Sequence, residues 1–405
     1  MTNRIARRFA ASVAFAALGL ATPAMAQDKT VKIGVLNDMS SLYADIGGPN
    51  SVVAVKMAVE DSGLTKKGWK IDVVSGDHQN KPDIGVNLAR QWIDQDKVDA
   101  IADTPNSGVA LAVSNLVKEK NAVLLNSGAA ASDLTGKACS PVGFHWTYDT
   151  YMLANGTGNA LVKAGGDTWY FLTADYAFGH ALERDTGAAV TAAGGKVLGA
   201  VRHPLNTADF SSFLLQAQAS KAKIIGLANA GGDTTNAIKQ AAEFGIVRGG
   251  QNLAGLLIFI TDVHALGLPT AQGLIFTETF YWDTNDKTRA FAKKFADRNR
   301  GVHPTMIHAG VYASVLHYLK AVEALKSDEG IKVIEKMKAT PTDDPLFGKG
   351  TIRADGRKIH PAYLFEVKKP AESKAPWDYY KLRATIPAEQ AFRPLDQGDC
   401  PLVKK

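Results

Sequence analysis

From residue 31 onward, short runs of apolar residues alternate with longer stretches whose apolar positions recur at helical spacing. Val31-Lys32-Ile33-Gly34-Val35-Leu36 predicts a strand, followed by a loop over 37–50 and a helix through Val52, Val55, Met57 and Val59. Ile71-Asp72-Val73-Val74 with a helix over 84–94, Asp99-Ala100-Ile101-Ala102 with a helix over 108–118, and Ala122-Val123-Leu124-Leu125 continue the rhythm. It restarts after Tyr148 with strands at Trp169-Leu172, Lys223-Leu227, Leu256-Ile260 and Leu274-Thr277, and with helices from about Gly179 and from Thr234 to Phe244. Near-continuous apolar strands alternating with helices mean parallel sheets covered on both faces. Two such series predict two doubly wound α/β lobes.

The last quarter reads differently. Residues 286–299 and 307–325 carry the pattern of amphipathic helices, with Val311, Val315, Leu316, Leu319 and Val322 on one face. Gly350-Thr351-Ile352-Arg353, a turn at Asp355-Gly356, and Tyr363-Leu364-Phe365-Glu366-Val367 read as a hairpin. Beyond Pro370 the tail shows little periodicity of either kind.

Residues 1–26 have the form of a secretory leader. Arg4, Arg7 and Arg8 precede the roughly dozen uncharged apolar residues Phe9 to Leu20, and Ala24-Met25-Ala26 offers a small-x-small cleavage pattern. The apolar run is short of the ~20 residues of a spanning helix, so the expectation is an exported protein, periplasmic once cleaved near Gln27. The full chain has 46 basic and 40 acidic residues, net +6; without the three leader arginines about +3 remains. That excess is scattered, which argues against nucleic acid as a partner. The roughly 380 residues left exceed one core. Two cysteines, Cys139 and Cys400, in an oxidising compartment suggest a disulfide.

In open α/β sheets ligands bind beyond the C-terminal strand ends, where helix N-termini converge. Those ends here offer Asn106-Ser107 and Asn126-Ser127-Gly128-Ala129 in the first series, and Tyr176, Asn229 and Asp262 in the second. Hydroxyls and free N–H groups in the first set can hold a carboxylate; the same residue types also serve as ordinary helix caps. Asp262 can meet a cationic group or act as a loop or cap carboxylate. The triplet Phe280-Tyr281-Trp282 can cover a ligand or pack at a hinge. Gly156-Thr157-Gly158 lacks the third glycine of a dinucleotide fingerprint, and no phosphate loop, Gly-x-Ser-x-Gly elbow or His-x-x-x-His pair with an adjacent acid occurs. His145, His303 and His308 read as packing residues. Neither an enzyme nor a metal or cofactor site is expected.

Val31-Lys32-Ile33-Gly34-Val35, Asn106-Ser107-Gly108-Val109-Ala110, Asn126-Ser127-Gly128-Ala129-Ala130 and Asp175-Tyr176-Ala177-Phe178-Gly179, in this order, resemble the leucine/isoleucine/valine-binding family, the type I periplasmic substrate-binding proteins of ABC importers. The resemblance implies two lobes joined by a three-strand hinge and closing on a small molecule: 27–147 plus 282–340 as lobe 1, and 148–281 plus 341–405 as lobe 2, with the tail returning over the hinge. It implies a monomeric carrier serving a membrane permease. Ser107, Ser127 and Ala129 fall where amino-acid binders hold a carboxylate. Tyr148 and Tyr176 fall at ligand-facing positions of the second lobe, and Asp262 near the acid that meets an α-ammonium; Tyr43 and Tyr281 complete the candidate set. Three departures stand out: Asn37-Asp38-Met39-Ser40-Ser41-Leu42-Tyr43 lacks the proline and glycine common in that loop, Asn229-Ala230-Gly231-Gly232 replaces a frequent aromatic, and Cys139 and Cys400 do not fit the short disulfide loop of the amino-acid binders. The ligand reading is therefore an amino acid or aromatic acid, with short amides or urea, or a sensor acting through a separate membrane partner, as the alternatives.

Overall fold

The computed structural model describes residues 29–404; the leader expected over 1–26 lies outside them. Five strands form the first sheet: β1 (Thr30–Asn37), β2 (Lys70–Asp77), β3 (Ala100–Ala102), β4 (Val123–Asn126) and β5 (Gly143–His145), in the order β2-β1-β3-β4-β5, every pair parallel. The second sheet holds β6 (Thr168–Ala174), β7 (Lys196–His203), β8 (Ile224–Ala228) and β9 (Asn252–Gly255), in the order β7-β6-β8-β9, again all parallel. Both are doubly wound α/β sheets. Helices Gly48–Ser62, Pro82–Asp94, Ser107–Lys120 and Met306–Leu325 cover the first, and Ala177–Ala192, Ser211–Ala219 and Gly232–Glu243 the second.

Several strands differ from the sequence expectation. β7 was missed because its exposed side, Lys196, Leu198, Ala200 and Arg202, dilutes the apolar signal of an edge strand. The short β5 was also missed. Leu256–Ile260 is not a strand: β9 ends at Gly255, the apolar run is buried without pairing in a sheet, and a helix starts at Ile260. β10 (Ile275–Glu278) does not close the second parallel series but pairs antiparallel in a separate sheet, β10-β14-β15.

The rest of the chain completes that third sheet and builds a fourth. β11 (Thr342–Asp344), β12 (Gly348–Ile352) and β13 (Lys358–Ile359) form an antiparallel sheet, and β14 (Ala362–Val367) and β15 (Tyr380–Ile386) complete the one begun by β10. The hairpin partner of β12 is therefore Lys358–Ile359, not 363–367, and the tail contains a full strand. Residues 342–359 lie beside the first sheet rather than the second: Arg357 bridges to His145 of β5, and Lys358 lies 5.7 Å from the Trp146 ring.

The chain crosses between lobes three times, over 146–149, 279–285 and 360–361. Buried Arg357 ties the first crossing to the third. Its guanidinium donates to the Thr147 carbonyl, pairs with Asp149 at 3.3 Å, and lies 4.4 Å from the Phe392 ring centroid. His360 Nε2 meets the Trp146 carbonyl at 3.0 Å. A disulfide joins Cys139 to Cys400, with the Cα atoms 5.7 Å apart. It holds the tail against the first lobe, where Arg393 donates to the Ser132 carbonyl, while Asn155 at the start of the second lobe donates to Gln390.

Candidate functional site

The C-terminal strand ends of the two sheets face each other across a cleft, and the lobes touch there. The Tyr43 hydroxyl, on the loop after β1, meets the Tyr176 hydroxyl, on the loop after β6, at 2.5 Å. Beneath them lies a narrow gap of about 10 Å³, room for about one water in this closed form, lined by Tyr43, Ile46, Pro105, Gly128, Ala130, Tyr148, Tyr176, Phe178, Ala230 and Leu257. None of the lining residues carries a formal charge. A much larger open groove runs along the opposite, N-terminal ends of the second-lobe strands, past Leu161, Ile224 and Leu253. The cleft is the better candidate because the helix N-termini and strand-end loops converge there.

Loop order explains how the first lobe presents Tyr43. The Asp38 carboxylate, fully buried, accepts from the backbone N–H groups of Ser41 (2.9 Å) and Tyr43 (2.8 Å) and from Asn80 Nδ2 (2.6 Å). A buried acceptor with several donors fixes a turn rigidly. Tyr148, at the first crossing, donates to the Gly128 carbonyl at 2.6 Å and packs edge-on against Phe259 of the second lobe.

Of the candidates from sequence, Tyr43, Tyr148 and Tyr176 come together around this cavity. The others are placed elsewhere or have their polar atoms engaged. Asn106 caps its helix, accepting from Gly108 N and Val109 N at 2.9 and 3.1 Å. Asn126 bonds the Ala129 N–H (3.1 Å) and carbonyl (2.8 Å), and Ser107 Oγ accepts from Ala130 N and Ala131 N. Ser127 Oγ is buried without a partner and faces the helix Met306–Leu325, where a Cβ on Gly310 would lie 2.9 Å from it. Asn229 links His203 (3.1 Å) and Thr234 (2.7 Å) inside the second lobe. Asp262 accepts from the Phe259 N–H at 2.9 Å as part of a helix cap. Tyr281 stacks on Tyr380 with centroids 4.7 Å apart, and its triplet packs at the hinge. His303 stacks against Trp377, and His308 bonds the Gly47 carbonyl.

The lining residues that the sequence reading missed mostly lie one or two positions from those it chose: Gly128 and Ala130 flank Ala129, Ala230 follows Asn229, and Phe178 follows Tyr176 by two. Position along a strand end was legible; the direction of each side chain was not. Ile46, Pro105 and Leu257 gave no polar signal.

Buried acids surround the uncharged lining. Burial raises the Asp103 carboxyl to about 6, against the opposing hydrogen bonds from Ser51 and Asn37. Burial likewise raises Asp233 to about 7, and Asp262 to about 7 with like charge from Asp45 adding to the effect. Burial is also the main cause that pushes the Tyr43, Tyr148 and Tyr176 hydroxyls up, so all three stay protonated donors at neutral pH.

The sequence profile of the family described as periplasmic binding protein matches residues 30–374. This chain belongs to that family. The binding protein is 52% identical to a periplasmic binding protein from Burkholderia mallei whose solved structure superposes with a TM-score of 0.90, covering 93% of this chain and 100% of that one. A branched chain amino acid ABC transporter periplasmic ligand-binding protein from Burkholderia xenovorans LB400 is 41% identical, with a TM-score of 0.80 and coverage of 92% and 99%. The Leu/Ile/Val-binding protein homolog 6 of Brucella melitensis biotype 1 is 25% identical over 371 residues, 89% of this chain and 93% of that one. Among the described residues no helix is long and apolar enough to cross a membrane, and no group of three or more metal-ligating side chains is present.

Proposed function

We propose that the protein captures a small amino-acid-like molecule between its lobes in the periplasm and delivers it to an ABC transporter permease, acting as a monomeric carrier that binds without transforming. The observation that carries this reading is the cavity between Tyr43, Tyr148, Tyr176 and Phe178, closed by a tyrosine pair from opposite lobes. One hydroxyl of that pair donates to the other, which leaves one O–H free to turn toward a ligand carboxylate or carbonyl. With no cation in the lining and raised-pKa acids around it, a bare anion is less well served than a zwitterion whose ammonium offsets its carboxylate. The 41% identical relative named as a branched chain amino acid binding protein supports the same class.

An aromatic acid is the second reading, favoured by the four aromatic rings of the lining, and a short amide or urea is the third, favoured by the narrowness of the cavity. A ligand sensor with a separate membrane partner would use the same site. A thermal-shift screen over L-leucine, other amino acids, benzoate, acetamide and urea separates these classes. A compound at a hundred times its Kd adds about 2.7 kcal/mol to the folded form. A rise with amino acids supports the proposal; a rise only with benzoate or amides reassigns the ligand, and chemical turnover of any compound refutes the carrier role.

A further inference from the structure

Where the loop after β8 meets the loop after β1, the contact is backbone against backbone. The Gly232 N–H, at the start of helix Gly232–Glu243, donates to the Leu42 carbonyl at 3.3 Å. Gly231 has φ of +57° and ψ of −131°, a conformation that L side chains rarely adopt. A Cβ placed on it would lie 2.6 Å from the Leu42 carbonyl oxygen and 3.1 Å from Tyr43 Cδ1. The first of these atoms is backbone, in a loop held by the Asp38 carboxylate, and cannot yield as a side-chain tip would. At Gly232 the corresponding neighbour is the movable end of the Leu42 side chain at 3.0 Å.

We infer that Gly231, with the Gly232 N–H and the Leu42 carbonyl, forms a backbone latch that fixes the narrowest width to which the cleft closes, making Gly231 a specificity-determining residue for ligand size. This deepens the binding reading proposed above and rests on it. Any side chain at 231 holds the lobes apart at this point, lengthens the Gly232–Leu42 contact, and separates Tyr43 from Tyr176 on the same loops. The closed cavity then grows, and discrimination against larger guests falls.

The test uses the full chain with spin labels at Lys56 and Lys239, exposed positions on helices of opposite lobes. Distance distributions are recorded without additive and with millimolar L-leucine, benzoate, acetamide or urea, for the parent, Gly231→Ala, Gly231→Asn and Gly232→Ala. Alanine and asparagine are both strained at φ +57° and ψ −131°, so agreement between the two variants ties the effect to any side chain at 231, and Gly232→Ala, with an ordinary backbone, is the control. Melting temperature without additive reports that each variant folds. The expected result is a short-distance population in the parent that falls at least tenfold in both Gly231 variants and much less in Gly232→Ala. In the Gly231 variants, the ratio of affinities between a small and a larger probe also shrinks toward one. An unchanged short-distance population in folded Gly231→Ala overturns the latch while leaving the binding role standing. A parent that stays open with every probe overturns both.

Discussion

Tyr43 and Tyr176, 133 residues apart in sequence and on opposite lobes, share a hydroxyl–hydroxyl contact at 2.5 Å. Because this bond exists only when the lobes meet, it acts on the balance between open and closed forms rather than on either lobe's fold. A ligand shifts that balance only through contacts that differ between the two forms. Tyr43→Phe keeps the ring in the cavity wall and removes the bond. A net hydrogen bond of about 1 kcal/mol corresponds to a roughly fivefold loss of affinity. Calorimetric titration of parent and variant should show that loss, with the melting temperature of the unliganded protein unchanged.

Arg357 supports the hinge. Its guanidinium is fully buried, and the Asp149 carboxylate that it meets is buried too. Replacing Arg357 by Ala leaves that acid and the Thr147 carbonyl without their partner. Breaking one side of a buried ion pair costs about 3–5 kcal/mol. Denaturant unfolding should register a loss of that order, and Arg357→Met combined with Asp149→Asn should recover part of it. A loss below about 1 kcal/mol in Arg357→Ala would show that the clamp does not hold the crossings together.

The Cys139–Cys400 disulfide closes a loop of 261 residues in sequence separation. Disulfides of this kind contribute about 2–5 kcal/mol. Cys139→Ser with Cys400→Ser should melt lower, and limited trypsin digestion should cut the tail near Arg393 in the variant first. Equal digestion patterns would mean that the tail's noncovalent contacts with Ser132 and Asn155 suffice.

How much of this was legible in the sequence follows from the kind of signal each part emits. Apolar runs such as Val31–Leu36 and Ile224–Leu227 are buried on both faces, so the two parallel sheets stood out. The edge strand at 196–203 faces solvent on one side and the tail strand at 380–386 is exposed at every position from 381 to 385, and these exposed residues masked them. In the cleft, the loops were found but the side-chain directions were not. Ser127 and Asn229 have the chemistry of ligand contacts, yet their tips turn into Gly310 and His203. The walls are instead made by Ile46, Pro105, Phe178 and Leu257, whose apolar side chains look like any core residue.

The raised carboxyl of Asp262 gives a pH signature. Its folded value of about 7 exceeds the unfolded value of about 3.9, so the folded form holds the proton more tightly. Stability from this group is therefore full at low pH and is lost as pH rises from about 4 through 7. Asp262→Asn keeps an acceptor for the Phe259 N–H and removes the titration. Its melting temperature relative to the parent should rise between pH 5 and pH 8, by the equivalent of at most about 3 kcal/mol. A difference that stays constant across that range would place the Asp262 pKa near its ordinary value.

A guest held between the strand ends of the two lobes is what the facing tyrosines imply. A crystal structure of the protein with the compound that raises its melting temperature most tests this directly. The account predicts ligand density enclosed by Tyr43, Tyr148, Tyr176, Phe178 and Leu257, with both lobes in contact with it. Density in the groove past Leu161, Ile224 and Leu253, or on one lobe alone with the cleft empty, would contradict it.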